Sequence, residues 1–354
     1  MYLTWLLFAA IVVNLVMKTV QQHVYLWKIT HPDKAKPSYL FGTMHVPWNI
    51  LFKKIPFENI IKNVDVVVIE SNTDLGSELR DCVRKRRPAK LPQNVVKRIK
   101  KNFPLYHLVL LPLPSDWLLL SLSSLIMQKQ LNVFYVTFWA SLDDKIKKIG
   151  KNNGKETRYL ETPNDLRIVL PNVKEKSMIA LIEQMLDIME NSKQTLKPLV
   201  KSYKKGEVTE QLYEDYLFGP IPSEKANELN ISKEQYRIDL NCARNKKWIL
   251  KMNEWMMERN NGEKSFFFVV GLRHIITEHE SLIKLLTNEG YKVEKMNDFI
   301  SSDATKEAFD DDKTATKDNQ RPGHLKGHMD FFKWILKNAI EENETPQKGK
   351  QRAD

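Results

Sequence analysis

The chain reads as an α/β protein, a central sheet flanked by helices, and three runs of sequence predict it. Tyr39-Leu40-Phe41 and Phe266-Phe267-Phe268-Val269-Val270 are apolar, strand-like runs, and each stops at a Gly-x-x-His element. These elements are Gly42-Thr43-Met44-His45 and Gly271-Leu272-Arg273-His274. The third run, Val66-Val67-Val68-Ile69, is apolar without alternation and ends at Glu70. Unbroken apolar runs of this length are the pattern of buried strands, while the intervening segments carry helical spacing. At 354 residues and 42% hydrophobic the chain can bury a full core, in one elaborated domain or in two.

The elements follow in order. Residues 3–17 are almost wholly apolar, interrupted by Thr4 and Asn14. That length suits a signal-peptide core and falls short of the roughly 20 residues that span a bilayer. Residues 1–22 are therefore expected to be a signal peptide or an uncleaved N-terminal anchor. The rest of the chain would then lie in the secretory pathway, outside the cell or on its surface membrane.

Residues 24–29 and 39–43 predict two strands joined by a polar turn that holds Pro32 and Pro37. After Glu70 the pattern is helical to about residue 102, with breaks near Pro88 and Pro92. Pro104, Pro112 and Pro114 punctuate an apolar stretch that leads into a helix over 115–128. These prolines and Asp116 make residues 108–127 a buried helix or groove wall rather than a membrane span.

A basic helix is predicted over 142–151, then a short strand over 158–162 ending on an acidic residue, Glu161. Met178, Ile182, Met185, Leu186 and Met189 recur at helical spacing and predict a core-facing helix. A long helix begins after Ser232, with Gln235 as a capping partner, turns Met252 and Met256 inward and stops at Asn260-Asn261-Gly262. A helix over 277–288, closed by Gly290, and a strand over 291–294 complete a folded region of residues 23–300. Residues 301–354 are polar and charged, with Asp310-Asp311-Asp312, and read as a disordered tail.

The formal net charge of +11 points to acidic partners. No nucleic-acid-binding fingerprint accompanies it, which excludes nucleic acid and leaves anionic glycans or a membrane surface. The candidate patch is Arg84-Lys85-Arg86-Arg87 with Lys97-Arg98 and Lys100-Lys101; a solvated helix face explains the same residues. Cys82 and Cys242 allow one bridge or two separate buried thiols. Asn230-Ile231-Ser232 is an acceptor for N-glycosylation in a secreted chain. His324 and His328 have i,i+4 spacing, but Gly323 and Gly327 argue against the helix that would join them.

Two imidazoles and a carboxylate delivered at strand ends suit a hydrolytic metal site. His45 and His274 would hold the ion, with Glu70 as third ligand or as the base that takes a proton from bound water. Arg244, if its helix face points inward, would stabilise a tetrahedral oxyanion, and Asn245 would hold a loop or a ligand histidine. A solvated helix face is the competing reading for both.

Residues 26–29, 39–47, 266–274 and 290–294 together resemble the Tiki metalloproteases of the TraB/GumN-related superfamily, in order from about residue 25 to residue 294. Two Gly-x-x-His elements and an intervening glutamate carry the resemblance, matched by His45, His274 and Glu70. Asp143, Leu160-Glu161-Thr162 and Arg244-Asn245 also resemble recurring family elements. The resemblance implies an α/β core shared with erythromycin-esterase-like proteins. It also implies a secreted or membrane-tethered metalloprotease dependent on Mn2+ or Co2+ that cleaves the N-terminal region of Wnt proteins and negatively regulates Wnt signalling. Arg273 stands where the family usually has a small residue before the second histidine, and it is expected to crowd or electrostatically repel a cation. Two other readings are a catalytically silent binding protein on the same fold and a non-peptidase metal hydrolase.

Overall fold

A computed structural model describes residues 24–296 apart from 47, 53–54, 72–86, 105, 131–140, 163–164, 166–173, 192–195, 219–233, 235–237 and 259–263. The expected leader, Cys82, Asn230 and the charged tail lie outside the described residues.

Strands β1 (Leu26–Thr30), β2 (Ser38–Thr43), β3 (Val66–Ser71), β4 (Glu156–Glu161), β5 (Phe266–Gly271) and β6 (Lys292–Lys295) form one sheet in the order β4-β3-β5-β2-β1-β6. The first four strands of that order are mutually parallel, while β1 runs antiparallel to both β2 and β6. Every residue of β5 is buried, because it has a strand on each side and helices on each face. That placement explains the unbroken Phe-Phe-Phe-Val-Val run.

The two faces are packed by different helices. Val67 and Phe267 are register partners and share a face. There Phe267 lies 6.2 Å from Phe41 and 5.6 Å from Phe57 between ring centroids. The helix Leu142–Asn152 covers the same face so closely that a Cβ on Gly150 would stand 2.8 Å from Val67 Cγ2. On the opposite face Phe266 and Phe268 stack at 5.7 Å, under the helix Ala243–Met257, whose Trp248, Met252 and Met256 are buried. The Arg158 guanidinium bridges the layers, 5.4 Å from the Trp255 ring and 5.8 Å from Phe266.

A second hydrophobic cluster stands apart from the sheet. It gathers Val95, Ile99 and Phe103 with Leu118, Leu122 and Leu125 and with Met178, Ile182, Met185 and Leu186. The apolar stretch around 115–130 is therefore a buried helix, and the methionine stripe packs against it. No helix among the described residues is long and apolar enough to cross a membrane.

Several boundaries differ from the sequence reading. β4 starts at Glu156, because its pairing with β3 runs from Val66↔Glu156 onward. The long helix has a π turn at Ile238–Cys242 ahead of Ala243–Met257 and ends before Asn260, where Lys34 Nζ donates to the Met256 carbonyl at 2.5 Å. The expected helix over 277–288 is two elements, a single turn at Arg273–Ile276 and the helix Leu282–Asn288. Ser281 separates them, since its Oγ accepts from Lys284 N–H as an N-cap.

Gly150→Ala tests the closeness of helix and sheet. Helix propensity alone favours alanine, but a methyl against Val67 inside the sheet overpacks the layer. The expected result is a net loss of about 1–3 kcal/mol, read by denaturant unfolding; a gain in stability would disprove the contact.

Candidate active site

The three chain segments expected to carry chemistry leave the sheet at one edge. β2, β5 and β3 are parallel neighbours, with Thr43 opposite Gly271 and Ile69 opposite Val269. The carboxyl ends of parallel strands are where ligands bind in open α/β sheets. The two Gly-x-x-His turns are pinned together there, because Leu272 N–H donates to Thr43 O at 2.7 Å. Glycine at position 42 permits that approach, since a Cβ would lie 2.7 Å from Leu272 Cδ1 and 3.3 Å from its Cα.

Gly271 keeps the centre open. A Cβ at this position would stand 3.0 Å from His45 Nε2, 3.4 Å from Glu70 Oε2 and 3.6 Å from His274 Cδ2. Three side chains far apart in sequence thus converge on one methyl-sized space.

Glu70 is held by both oxygens. Oε1 accepts from Arg244 Nη2 at 2.5 Å and Oε2 from Gly271 N–H at 2.8 Å. Burial opposes its charge, but Arg244, with charged His45 and the Gly271 N–H, holds its carboxyl well below the usual range. Arg244 also donates to Glu161 through Nη2 and through Nε, the latter at 2.9 Å. Trp248 Nε1 adds a third donor to Glu161 at 3.2 Å. For Glu161, burial outweighs the attraction of Arg244, and with the Glu70 charge nearby its carboxyl is pushed up.

The two histidines differ in kind. His274 is buried beneath Trp248, 4.3 Å away between ring centroids. Asn245 Nδ2 donates to the carbonyls of His274 and Glu280 at 3.1 and 2.9 Å, so its Oδ1 faces His274 Nδ1 at 2.6 Å as an acceptor. That assigns the proton to Nδ1 and the lone pair to Nε2. Burial and then Arg244 push the ring well below its ordinary pKa, leaving it neutral. Nε2 faces Arg244 Nη1 at 3.2 Å and Glu70 Oε1 at 3.9 Å.

His45 is 46% exposed. Its Nδ1 lies 3.3 Å from Asp143 Oδ2, and Thr43 Oγ1 steadies the other Asp143 oxygen at 3.1 Å. Desolvation works against its charge, but Asp143 and then Glu70 raise it to about 9. Solvent at the open edge screens part of that attraction. Nε2 points toward Glu70 Oε2, 3.9 Å away.

Two imidazoles and a carboxylate around a small space are a donor set for a divalent transition metal, and separations near 3.9 Å suit two ligands each about 2.1 Å from one ion. Asn245, by fixing the tautomer of His274, acts as ligand-orienting residues do. Arg244 stands against this, because its Nη1 lies on the lone pair of His274. Among the described residues no group of three His, Cys, Asp or Glu side chains is gathered closely enough to hold an ion. The donors suit a metal in type, but as they stand they do not close around an ion, because the Arg244 guanidinium faces the lone pair that His274 would give it.

His45, Glu70, His274, Arg244 and Asn245 therefore meet in one place, although His274 lies in a helical turn rather than directly on the strand end. Arg244 is buried with its donors aimed at Glu70, Glu161 and His274, so its helix face points inward and is not a solvated one. Arg273 does not crowd the site, because its guanidinium turns to Glu214 at 3.3 Å on the helix Glu210–Phe218, although its charge is still felt at His274. Sequence reasoning did not include Asp143, Glu161 or Trp248 in the site. Asp143 and Glu161 were visible as family-like elements, and Trp248 follows Arg244 by one helical turn. Asn230, His324 and His328 lie outside the described residues.

A family model described as the TraB/PrgY/gumN family matches residues 25–295, a span that contains every residue of the site. No curated protein and no solved structure matches the chain.

Asp143→Asn tests the His45 contact. The raised pKa of His45 means that its stabilising contribution is present below about pH 6.5 and is lost as pH rises through about 9. In Asp143→Asn the imidazole should titrate nearer 6.5, and that part of the pH-dependent stability should disappear. NMR titration of the His45 ring and thermal unfolding across pH 6–10 check both; an unchanged midpoint would refute the pairing.

Proposed function

The chain belongs to the TraB/PrgY/gumN family, and from that premise we propose that it is a divalent-metal-dependent hydrolase of peptide bonds, a metalloprotease of Tiki type. The observation that carries the proposal is the convergence of His45, Glu70 and His274 on the space beside Gly271.

His45 Nε2, the Glu70 carboxylate and His274 Nε2 would hold the ion, Mn2+ or Co2+, which when bound supplies a Lewis acid and a water of lowered pKa. Glu70 suits the role of ligand better than that of base, because a base for neutral pH needs a pKa near 7 and this carboxyl is held far lower. Asn245 keeps the proton of His274 on Nδ1. Asp143, steadied by Thr43, steers Nε2 of His45 toward the carboxylate. The half-exposed edge of His45 is the side from which a peptide would approach.

The proposed substrate is the N-terminal region of Wnt proteins, met in the secretory pathway, outside the cell or at its surface, with negative regulation of Wnt signalling as the outcome. Asn230 would then be glycosylated. Lys97, Lys100 and Lys101 are exposed at i, i+3 and i+4 on the helix Gln93–Asn102, a face suited to an anionic glycan or membrane surface.

A second reading is favoured by the 3.3 Å contact between His45 and Asp143. The pair would take a proton from water without a metal, as carboxylate-oriented histidines do, once His45 is neutral, so metal-free cleavage would rise as pH approaches about 9. Removal of metal separates the two.

Purified protein incubated with a Wnt ligand should release an N-terminal fragment, detected by mass spectrometry, with loss on chelation and recovery on adding Mn2+ or Co2+. Cleavage that survives chelation favours the Asp143–His45 reading; no cleavage of Wnt or of a peptide panel favours a binding protein. His45→Ala should lower cleavage at least about 100-fold with little change in unfolding. His274→Ala should also cost about 1–3 kcal/mol, because it strips Asn245 Oδ1 of its buried donor. Gly271→Ala should remain folded and lose metal uptake, since the added methyl takes the shared space.

A further inference from the structure

The Arg244 guanidinium stands where a cation would be expected. Its Nη2 serves Glu70 Oε1, its Nη1 faces His274 Nε2, and its Nε and Nη2 serve Glu161. Glu70 divides the site in two. On the Oε2 side are Gly271 N–H and His45, and on the Oε1 side are Arg244 and His274. The lone pair on Nε2 of a neutral imidazole can accept from Arg244 or bond an ion, but not both.

We propose that Arg244 is a built-in competitor for the metal, occupying the third ligand's lone pair until an ion displaces it onto Glu161. The inference rests on the metal reading of the site. Glu161 makes the exchange feasible, because it also accepts from Nε at 2.9 Å and from Trp248 Nε1 at 3.2 Å, so the guanidinium can release His274 and stay paired. Arg244 thereby becomes the residue that determines which ions load. Only an ion whose bond to imidazole outweighs the displaced hydrogen bond, and the repulsion of a nearby positive charge, can complete the site. Imidazole affinity rises from Mn2+ to Co2+ along the divalent series, so the proposal favours Co2+ over Mn2+ in the wild-type protein.

The test is calorimetric titration of Mn2+ and Co2+ into the full-length protein and two variants. Arg244→Met combined with Glu161→Gln removes the guanidinium without stranding its buried carboxylate partner; Arg244→Lys keeps a charge but cannot fork to two partners. The double variant removes one positive and one negative charge, so the gain comes chiefly from freeing the lone pair of His274 Nε2, which should tighten binding of both ions at least about tenfold. Equal or weaker binding there, with cooperative unfolding retained, overturns the proposal.

Should the double variant not fold, NMR of the wild-type protein decides. On loading with Co2+ the hydrogen bond from Arg244 to His274 Nε2 should vanish while the Arg244 Nε–H signal persists; its retention in the loaded protein overturns the proposal. If neither ion binds the wild type or any folded variant, the metal reading fails and this inference with it. If ions bind wild type and variants alike, only the role of Arg244 fails.

Discussion

The site depends on one buried ion cluster, the guanidinium of Arg244 between the carboxylates of Glu70 and Glu161. Charges taken from water destabilise a fold unless each finds partners, and removal of one member of such a group typically costs about 3–5 kcal/mol. Here one cation serves two acids, and further donors supply the rest: Gly271 N–H for Glu70 and Trp248 Nε1 for Glu161. The opposite displacements of the two carboxyls follow from this sharing. Glu70 has the guanidinium and charged His45 beside it, whereas Glu161 is the less exposed to solvent and feels the charge of Glu70. Burial, and then the same cation, keep His274 neutral.

Close approach of backbone is the second constraint. Gly42 lets the two histidine turns touch, Gly271 leaves the space between their rings, and Gly150 seats a helix on the sheet. A side chain in any of the three places would meet another group at 3.0 Å or less, so the architecture and the site share the same geometric requirement. The helical cluster around Leu118 and Ile182 meets no such requirement. It packs as an ordinary amphipathic bundle away from the strand ends.

The two histidines occupy different electrostatic settings although their motifs match. His274 is enclosed, neutral and fixed by Asn245, while His45 is half open and drawn toward its charged form by Asp143. A proton must leave His45 before it can bond a cation, and a guanidinium must leave His274. On the proposed metal reading, occupancy of the site would be linked to pH at one histidine and to a side-chain displacement at the other.

The sequence by itself determined the α/β class, the buried strands and the residues at their ends, because strand burial and strand termination are local properties. An unbroken Val-Val-Val-Ile or Phe-Phe-Phe-Val-Val run carries its own evidence of a covered sheet, and a polar residue immediately after such a run stands at the sheet's edge. The core-facing methionines were legible for the same reason, through helical periodicity. Tertiary structure decided the rest. That β2, β5 and β3 are parallel neighbours, that Asp143 stands behind His45, and that Arg244 points to two carboxylates while Arg273 turns to Glu214 are facts of strand order and helix rotation. Strand order depends on pairings as distant as that of Trp27 with Lys295, and no local pattern encodes which of two arginines enters the site. Only the assembled sheet, with one helix laid across each face, sets that choice.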